Sequence, residues 1–386
     1  MNNQQACTGC GFTKLYSGFC LKQQPVVMNY RFRTAADSRR IARRDVELAQ
    51  CKSCGLVFNK TFEADAVPYD ENYENRQSFS AAFQSHLNTL ADVIIKRGNL
   101  KGGRVLEVGC GKGDFLRLVC EKANAAGVGY DTTYEGSRTS QSGRIRFHQR
   151  YVYSADIKAE SDVIICRHVV EHIPAIGSFL RELHAIARAS GNPLVVIETP
   201  SLEWIVENGC FLDLFYEHCN YFSMRCLAYL CRQAGFVIKR HTRVFSSQYQ
   251  MLELRLSKKW PRKLAAPGID RGASLRNFPK VMLRGQKQVE KMLLDAGSSR
   301  GWAVWGAGGK GVALINQLTI EPPKFVVDSN PAKQGCVIPG TSVPIIAPED
   351  SRLLQVPVVL VVNPNYLDEI KTLLCKRGFT NTLLSL

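Results

Sequence analysis

The stretch Arg104-Val-Leu-Glu-Val-Gly-Cys-Gly-Lys-Gly113 constrains the fold more than any other part of this chain. A short run of strand character passes directly into glycines at alternate positions, and 114–122 then reads as a helix. Glycines let a backbone turn sharply and come close to a ligand where any Cβ would collide. A strand, glycine turn and helix in succession belong to a parallel sheet covered by helices. The alternation continues: 127–131, 162–166 and 194–198 read as further strands, with a helix over 176–189 before the last. The expected fold class is α/β, with a doubly wound, Rossmann-like sheet.

The residues of the turn also speak to its ligand. A dinucleotide fingerprint has the spacing G-x-G-x-x-G and leaves pyrophosphate on the helix N-terminus. Here Gly109, Gly111 and Gly113 follow G-x-G-x-G around Cys110, with the acid Glu107 two residues earlier. An acid there suits a cationic ligand without phosphate, such as the aminocarboxypropyl sulfonium of S-adenosylmethionine. Asp131, ending the next strand, is placed to accept both hydroxyls of a ribose.

The theme recurs near the C-terminus. Trp302-Ala-Val-Trp305 leads into Gly306-Ala-Gly-Gly-Lys-Gly311, and Asp328 closes the following strand. That spacing does match the dinucleotide fingerprint, so the loop can serve a bound dinucleotide, a substrate, or structure alone. A helix over 281–295 precedes it, a strand over 356–362 follows, and Pro267, Gly268 and Gly272 mark a linker.

At the other end, Cys7-Thr-Gly-Cys10-Gly and Cys51-Lys-Ser-Cys54-Gly repeat one C-x-x-C-G pattern. Two such knuckles supply four thiolates, a tetrahedral set suited to a structural zinc ion with no open position. The metal would replace a core that so short a segment cannot build alone. The chain is therefore expected to divide into a zinc-binding domain at 1–68, a central domain at 69–258 and a Rossmann-like domain at 259–386.

The 386 residues hold 14 cysteines without a basic-then-apolar leader, which points to reduced thiols and a cytoplasmic protein. No apolar run is long enough to span a bilayer. A net charge of +16 favours polyanionic partners, whether nucleic acid, an acidic membrane surface or a phosphorylated small molecule. Arg31, Arg33, Arg39, Arg40, Arg43 and Arg44 concentrate part of it, most simply as a solvated face.

Two Glu-His pairs are candidates for chemistry. Arg167-His168-Val-Val-Glu171-His172-Ile-Pro174 ends a sheet strand, where Arg167 faces the cofactor side and His172 either meets the substrate or caps a helix. Phe215-Tyr-Glu217-His218-Cys-Asn-Tyr221-Phe222 gathers an acid, an imidazole and phenols, a setting that favours shifted pKa values and proton transfer. The alternative for His218 is a satisfied loop histidine.

The whole pattern resembles class I S-adenosylmethionine-dependent methyltransferases, with Glu107 to Gly113 as their first motif and Asp131 as their ribose-binding acid. Zinc knuckles, an E-H-I-P segment, a Y-E-H-x-x-Y-F segment and a C-terminal glycine loop make it similar, over essentially the whole chain, to the sugar C-methyltransferase family. That resemblance implies methyl transfer to a carbon of a nucleotide-linked keto-deoxysugar or a similar ketone-bearing small molecule. It also implies that His218 removes the proton beside the ketone with Glu217 adjoining it, and that His172 lies in the site. It implies further that a tyrosine between zinc domain and core reaches in, and that the C-terminal domain holds the nucleotide end without redox chemistry. The stretch Tyr69-Asp-Glu-Asn-Tyr73 departs from the family's Y-x-Y-x-S, and Tyr73 is taken as the match. The competing expectation is methylation of RNA or another small molecule at oxygen or nitrogen. Against RNA, aromatics adjoin only the first two arginines, as Tyr30 and Phe32, and none interleaves with Arg39, Arg40, Arg43 and Arg44.

Overall fold

The computed structural model describes residues 6–140, 142–258, 264–380 and 382–386. The expected start of the third segment, at 259, lies outside the described residues. Three sheets organise what is described.

The central sheet has seven strands in the order Phe236–Val244, Tyr249–Leu256, Leu194–Pro200, Val163–Arg167, Arg104–Val108, Ala126–Tyr130 and Ile145–His148. The last five are mutually parallel, and Tyr249–Leu256 joins them antiparallel through Leu194–Pro200. Val163-Ile-Ile-Cys is buried on both faces, the continuous apolar run that a helix-covered parallel strand requires. Helix Ile176–Ala189 covers one face through Ile176, Leu180, Leu183 and Ile186, which recur at helical spacing and are all buried. Helices Ala81–Gly98 and Asp114–Ala123 cover the other. The strand order reverses beside Arg104–Val108, which has Ala126–Tyr130 on one side and Val163–Arg167 on the other. Such a reversal opens a crevice at the strands' C-terminal ends, and the first glycine turn lies there.

The C-terminal sheet repeats the device with five parallel strands. Trp302–Trp305 lies between Phe325–Val327 and Val358–Val361, so the second glycine loop also opens at a point of reversal. The preceding helix begins at Phe278, earlier than position 281, because Pro279 is accommodated in its first turn, where no intrahelical N–H is needed.

The N-terminal sheet pairs Leu15–Pro25, Arg43–Cys51 and Val57–Asn59, and its fourth strand is Asn220–Tyr221, which begins two residues after His218. Here Val57 pairs with Tyr221 and Phe58 with Asn220. The knuckles pack on the helix side of the central sheet: Cys7, Cys51 and Cys54 share a core with Ile176, Leu227 and Leu230. The arginine stretch is only partly a solvated face. Arg43 donates to the carbonyl of Gln23 at 2.7 Å, to Asn316 at 2.8 Å and to the carbonyl of Gly340 at 2.7 Å. Arg31 is likewise spent on the carbonyls of Glu71 and Asn72. Among the described residues no helix is long and apolar enough to cross a membrane.

Candidate active site

A cleft of about 370 Å³ lies between the two glycine loops. On its first wall, Gly109, Gly111 and Gly113 have φ of 72°, 53° and 84°, values that side chains rarely adopt. A Cβ on Gly109 would strike the Val169 side chain, whereas one on Gly111 would meet only Asn75 Oδ1, 3.9 Å away. The middle glycine therefore leaves room at the cleft for a ligand. Cys110 is buried beneath this turn against Gly129.

Asp131 is held in place by the loop it serves. Its Oδ2 accepts from the Gly111 amide at 2.8 Å and its Oδ1 from the amide and hydroxyl of Thr133, both at 2.7 Å. Glu107 is buried, and its Oε2 has no hydrogen-bond partner. Burial pushes its pKa up to about 8, against the pull of nearby Arg167. Arg167 lies over the Phe115 ring at 4.3 Å and donates to Glu198 at 3.1 Å, while its Nη2 also lacks a partner. An orphaned carboxylate oxygen and an orphaned guanidinium nitrogen in one pocket suit a ligand carrying both an ammonium and a carboxylate. The residues fit the amino-acid end of S-adenosylmethionine, and Asp131 fits its ribose.

This geometry has a measurable pH signature. With a pKa of about 8, Glu107 is mostly protonated at pH 7, and a cationic ligand favours its ionised form. Binding therefore releases a proton at pH values below about 8. Cofactor affinity is expected to rise with pH between about 6 and 8, by up to about tenfold per unit, and then level off. Calorimetry in two buffers of different ionisation heat counts the proton, and Glu107→Gln should abolish its release.

Deeper in the cleft, His172, Glu217 and His218 come together, and Tyr73 reaches the carboxylate. Glu217 is wholly buried; its Oε1 accepts from the Met28 amide and its Oε2 from the Tyr73 hydroxyl at 2.7 Å. Burial raises the Glu217 pKa despite the His172 ring nearby. Burial, with the adjacent His172, drives the His218 pKa well below its ordinary value. The His218 ring is therefore neutral at pH 7, and its Nδ1 has no partner. The His172 ring centroid is 4.9 Å from that of His218. His172 Nδ1 lies 2.9 Å from the Glu217 carbonyl, which can only accept, so Nδ1 is the donor of this pair.

Sequence reasoning had passed over several neighbours. His168 sits at φ 52°, with Nδ1 3.4 Å from Glu171 and Nε2 3.3 Å from Glu198. Burial opposes its charge, but the two carboxylates outweigh burial and lift its pKa to about 9. Glu198 also meets His86 at 3.2 Å, and Glu171 accepts from Thr199 at 2.9 Å. Tyr69 places its hydroxyl 3.2 Å from His172 Nδ1. The signals for these were the presence of His168 and Glu171 in the first Glu-His string and of Tyr69 in the tyrosine stretch from which Tyr73 was taken; His86 and Glu198 carried none.

The second wall is the C-terminal loop. Asp328 copies the construction of Asp131: its Oδ2 accepts from the Ala307 amide at 2.7 Å and its Oδ1 from the Asn330 amide at 2.8 Å. Gly306, Gly308, Gly309, Asp328 and Lys333 all face the cleft shared with Glu107 and His218.

Outside the lining of this cleft, the Sγ atoms of Cys7, Cys10, Cys51 and Cys54 lie within 4.8 Å of one another. The Cys7–Cys54 and Cys10–Cys51 separations are both 3.6 Å. A tetrahedral four-thiolate zinc site with bonds of about 2.3 Å has edges of about 3.8 Å, so the cluster fits such an ion. The knuckles share one backbone pattern: Gly11 N donates to Cys7 O at 2.9 Å and Gly55 N to Cys51 O at 3.0 Å.

Comparison with known families bears on what this cleft does. Residues 76–241 match the model of a methyltransferase domain. Residues 258–376 match that of the C-methyltransferase C-terminal domain. The chain is a class I S-adenosylmethionine-dependent methyltransferase. Over 359 residues the methyltransferase is 25% identical to the C-methyltransferase NovU of Streptomyces niveus, covering 84% of this chain and 81% of that one. It is 28% identical over 114 residues to a ubiquinone biosynthesis O-methyltransferase of Bradyrhizobium diazoefficiens, covering 27% of this chain and 43% of that one. Among solved structures, the 1,6-didemethyltoxoflavin-N1-methyltransferase of Burkholderia thailandensis aligns with a TM-score of 0.35 and 16% identity, over 46% of this chain and 80% of that one. Both matched regions contribute to the cleft, which is therefore lined from the methyltransferase domain and from the C-methyltransferase C-terminal domain together.

Proposed function

We propose that the protein methylates the carbon beside a ketone in a nucleotide-linked keto-deoxysugar or a similar ketone-bearing metabolite, with His218 as the base. The observation that carries this reading is the position of an uncharged, unpartnered imidazole between two nucleotide-type glycine loops. Glu107, Gly109, Gly111, Asp131 and Arg167 hold the cofactor, which supplies a methyl group on a cationic sulfur. Cys110 and Gly113 shape the same turn. The C-terminal loop and Asp328 take the nucleotide end of the substrate.

A carbon flanked only by hydrogen and a ketone is a poor nucleophile until a proton is removed. His218 accepts that proton as the C–H bond breaks, and the electron pair becomes an enolate. The enolate carbon is then the nucleophile for the methyl group that the bound cofactor would supply, its carbon–sulfur bond breaking to leave a neutral thioether. The low basicity that burial gives His218 is offset when negative charge develops on the enolate oxygen beside it. His172 lines the cleft beside His218, and Tyr73 and the buried Met28 amide keep Glu217 from reorienting. Alignment of carbon, methyl and sulfur completes the requirement.

The same proposal places a structural zinc ion on Cys7, Cys10, Cys51 and Cys54, and divides the chain at 68 and 258. It puts the protein in the cytoplasm, in keeping with fourteen cysteines that are all free. Incubation with methyl-labelled cofactor and a panel of nucleotide-linked keto-sugars in heavy water tests it. Label should appear on carbon, with solvent deuterium exchanged into the position beside the ketone. Label transferred only to oxygen or nitrogen acceptors would refute the reading.

A further inference from the structure

We propose that Phe215 is a positioning residue through which the C-terminal glycine loop sets the His218 imidazole, so that filling this loop with the substrate's nucleotide end is coupled to placement of the base. The coupling rests on the reading of His218 and of the loop given above. It adds a mechanical connection between them.

The segment carrying His218 is fastened to the helix Gly309–Gln317 at both of its ends. At the helix start, Lys310 Nζ meets Asp213 at 2.6 Å and lies 4.7 Å from the Trp204 ring centroid. At the helix end, Gln317 donates to the Leu214 carbonyl at 3.0 Å. Lys310 is thus spent on an internal ion pair, although a lysine in a glycine loop is ordinarily available to phosphate. Next to these two ties, Gly309 lies flush against Phe215. A Cβ added to Gly309 would lie 3.0 Å from Phe215 Cζ and 3.2 Å from Cε1.

On its other side, the Phe215 ring lies against His218, with centroids 4.1 Å apart and planes tilted by 40°. The Phe215 backbone cannot yield, because Tyr221 Oη donates to its carbonyl at 3.2 Å and accepts from its amide at 3.3 Å. Only the ring can respond to pressure from Gly309. His218 is itself flanked by His172, so movement of the ring is passed to the imidazole instead of being absorbed. Gly309 faces the cleft, so a ligand on the loop acts on the same contact.

The test is a double-mutant cycle of Gly309→Ala and Phe215→Leu in the full chain. Alanine at 309 suits the first turn of a helix, so its effect reports the collision with the ring. Gly309→Ala is expected to lower kcat by roughly 10- to 100-fold, as a misplaced reacting group does, with cofactor affinity unchanged. Its His218 resonances, read in histidine-labelled protein, should shift. Phe215→Leu leaves room for the added methyl group, so Gly309→Ala should cost much less kcat in the Phe215→Leu background than in the parent, and should move the His218 resonances much less there. The coupling is overturned if the cost of Gly309→Ala appears only in the substrate KM, if it is as large in the Phe215→Leu background as in the parent, or if the His218 resonances do not move. Failure of the base assignment registers separately, as retained turnover in His218→Ala.

Discussion

Replacing His218 by alanine is expected to lower kcat by about 10²- to 10⁴-fold, the usual worth of a positioned proton acceptor. Affinity for S-adenosylmethionine should stay within about twofold of the parent value, because His218 touches neither the first glycine turn nor Asp131. Exchange of the α-hydrogen with heavy water separates this cause from any other. If His218 takes the proton, exchange falls with methyl transfer; if it only shapes the pocket, exchange continues while transfer stops. Turnover within a few-fold of the parent would exclude His218 as the base. Its depressed pKa adds a second signature: the acid limb of kcat/KM should lie below the pH of an ordinary histidine.

Removing the proposed zinc site should cost stability and turnover together. Binding of a four-thiolate zinc ion is worth about 10–16 kcal/mol in isolated knuckle peptides at pH 7, much of it spent on folding. Even a net loss of about 5 kcal/mol corresponds to roughly 10–20 °C in Tm, at 2–4 °C per kcal/mol for domains of 150–250 residues. Cys51→Ser is therefore expected to abolish stoichiometric zinc by elemental analysis and to lower Tm by about that amount. The sheet topology adds a more specific consequence. Val57–Asn59 pairs with Asn220–Tyr221, so loosening the knuckle loosens the strand next to His218. The variant should keep its cofactor affinity at low temperature and lose kcat. A metal-free Cys51→Ser protein with parent stability would remove the structural role.

The fold class was legible because its signals are local. The run Arg104 to Gly113, the apolar helix Ile176–Ala189 and the acid at 131 each declare themselves within a few residues of sequence. The same holds for the paired knuckles, whose spacing alone anticipates the observed clustering of their sulfurs. The polar interior of the cleft was not legible in this way. His86 and Glu198 are separated by 112 positions and Tyr69 and His172 by 103, and nothing near either partner marks the pairing. His168 occupies a backbone region that its residue type does not advertise, so its place between two carboxylates emerged only from the three-dimensional arrangement. Arg43 shows the same limit on the outside. In sequence it belongs to a basic cluster, yet its guanidinium is occupied by groups some three hundred positions away.

The attachment of the segment 213–221 has a bearing on how this protein can be rebuilt. That short piece of chain leans on the helix Gly309–Gln317 through Asp213 and Leu214, and completes the N-terminal sheet through Asn220 and Tyr221. Exchanging only the C-terminal third with that of a relative would leave those side chains facing strangers. A functional chimera should need residues 210–221 to travel with the transplanted third, or both flanking regions to come from a single parent.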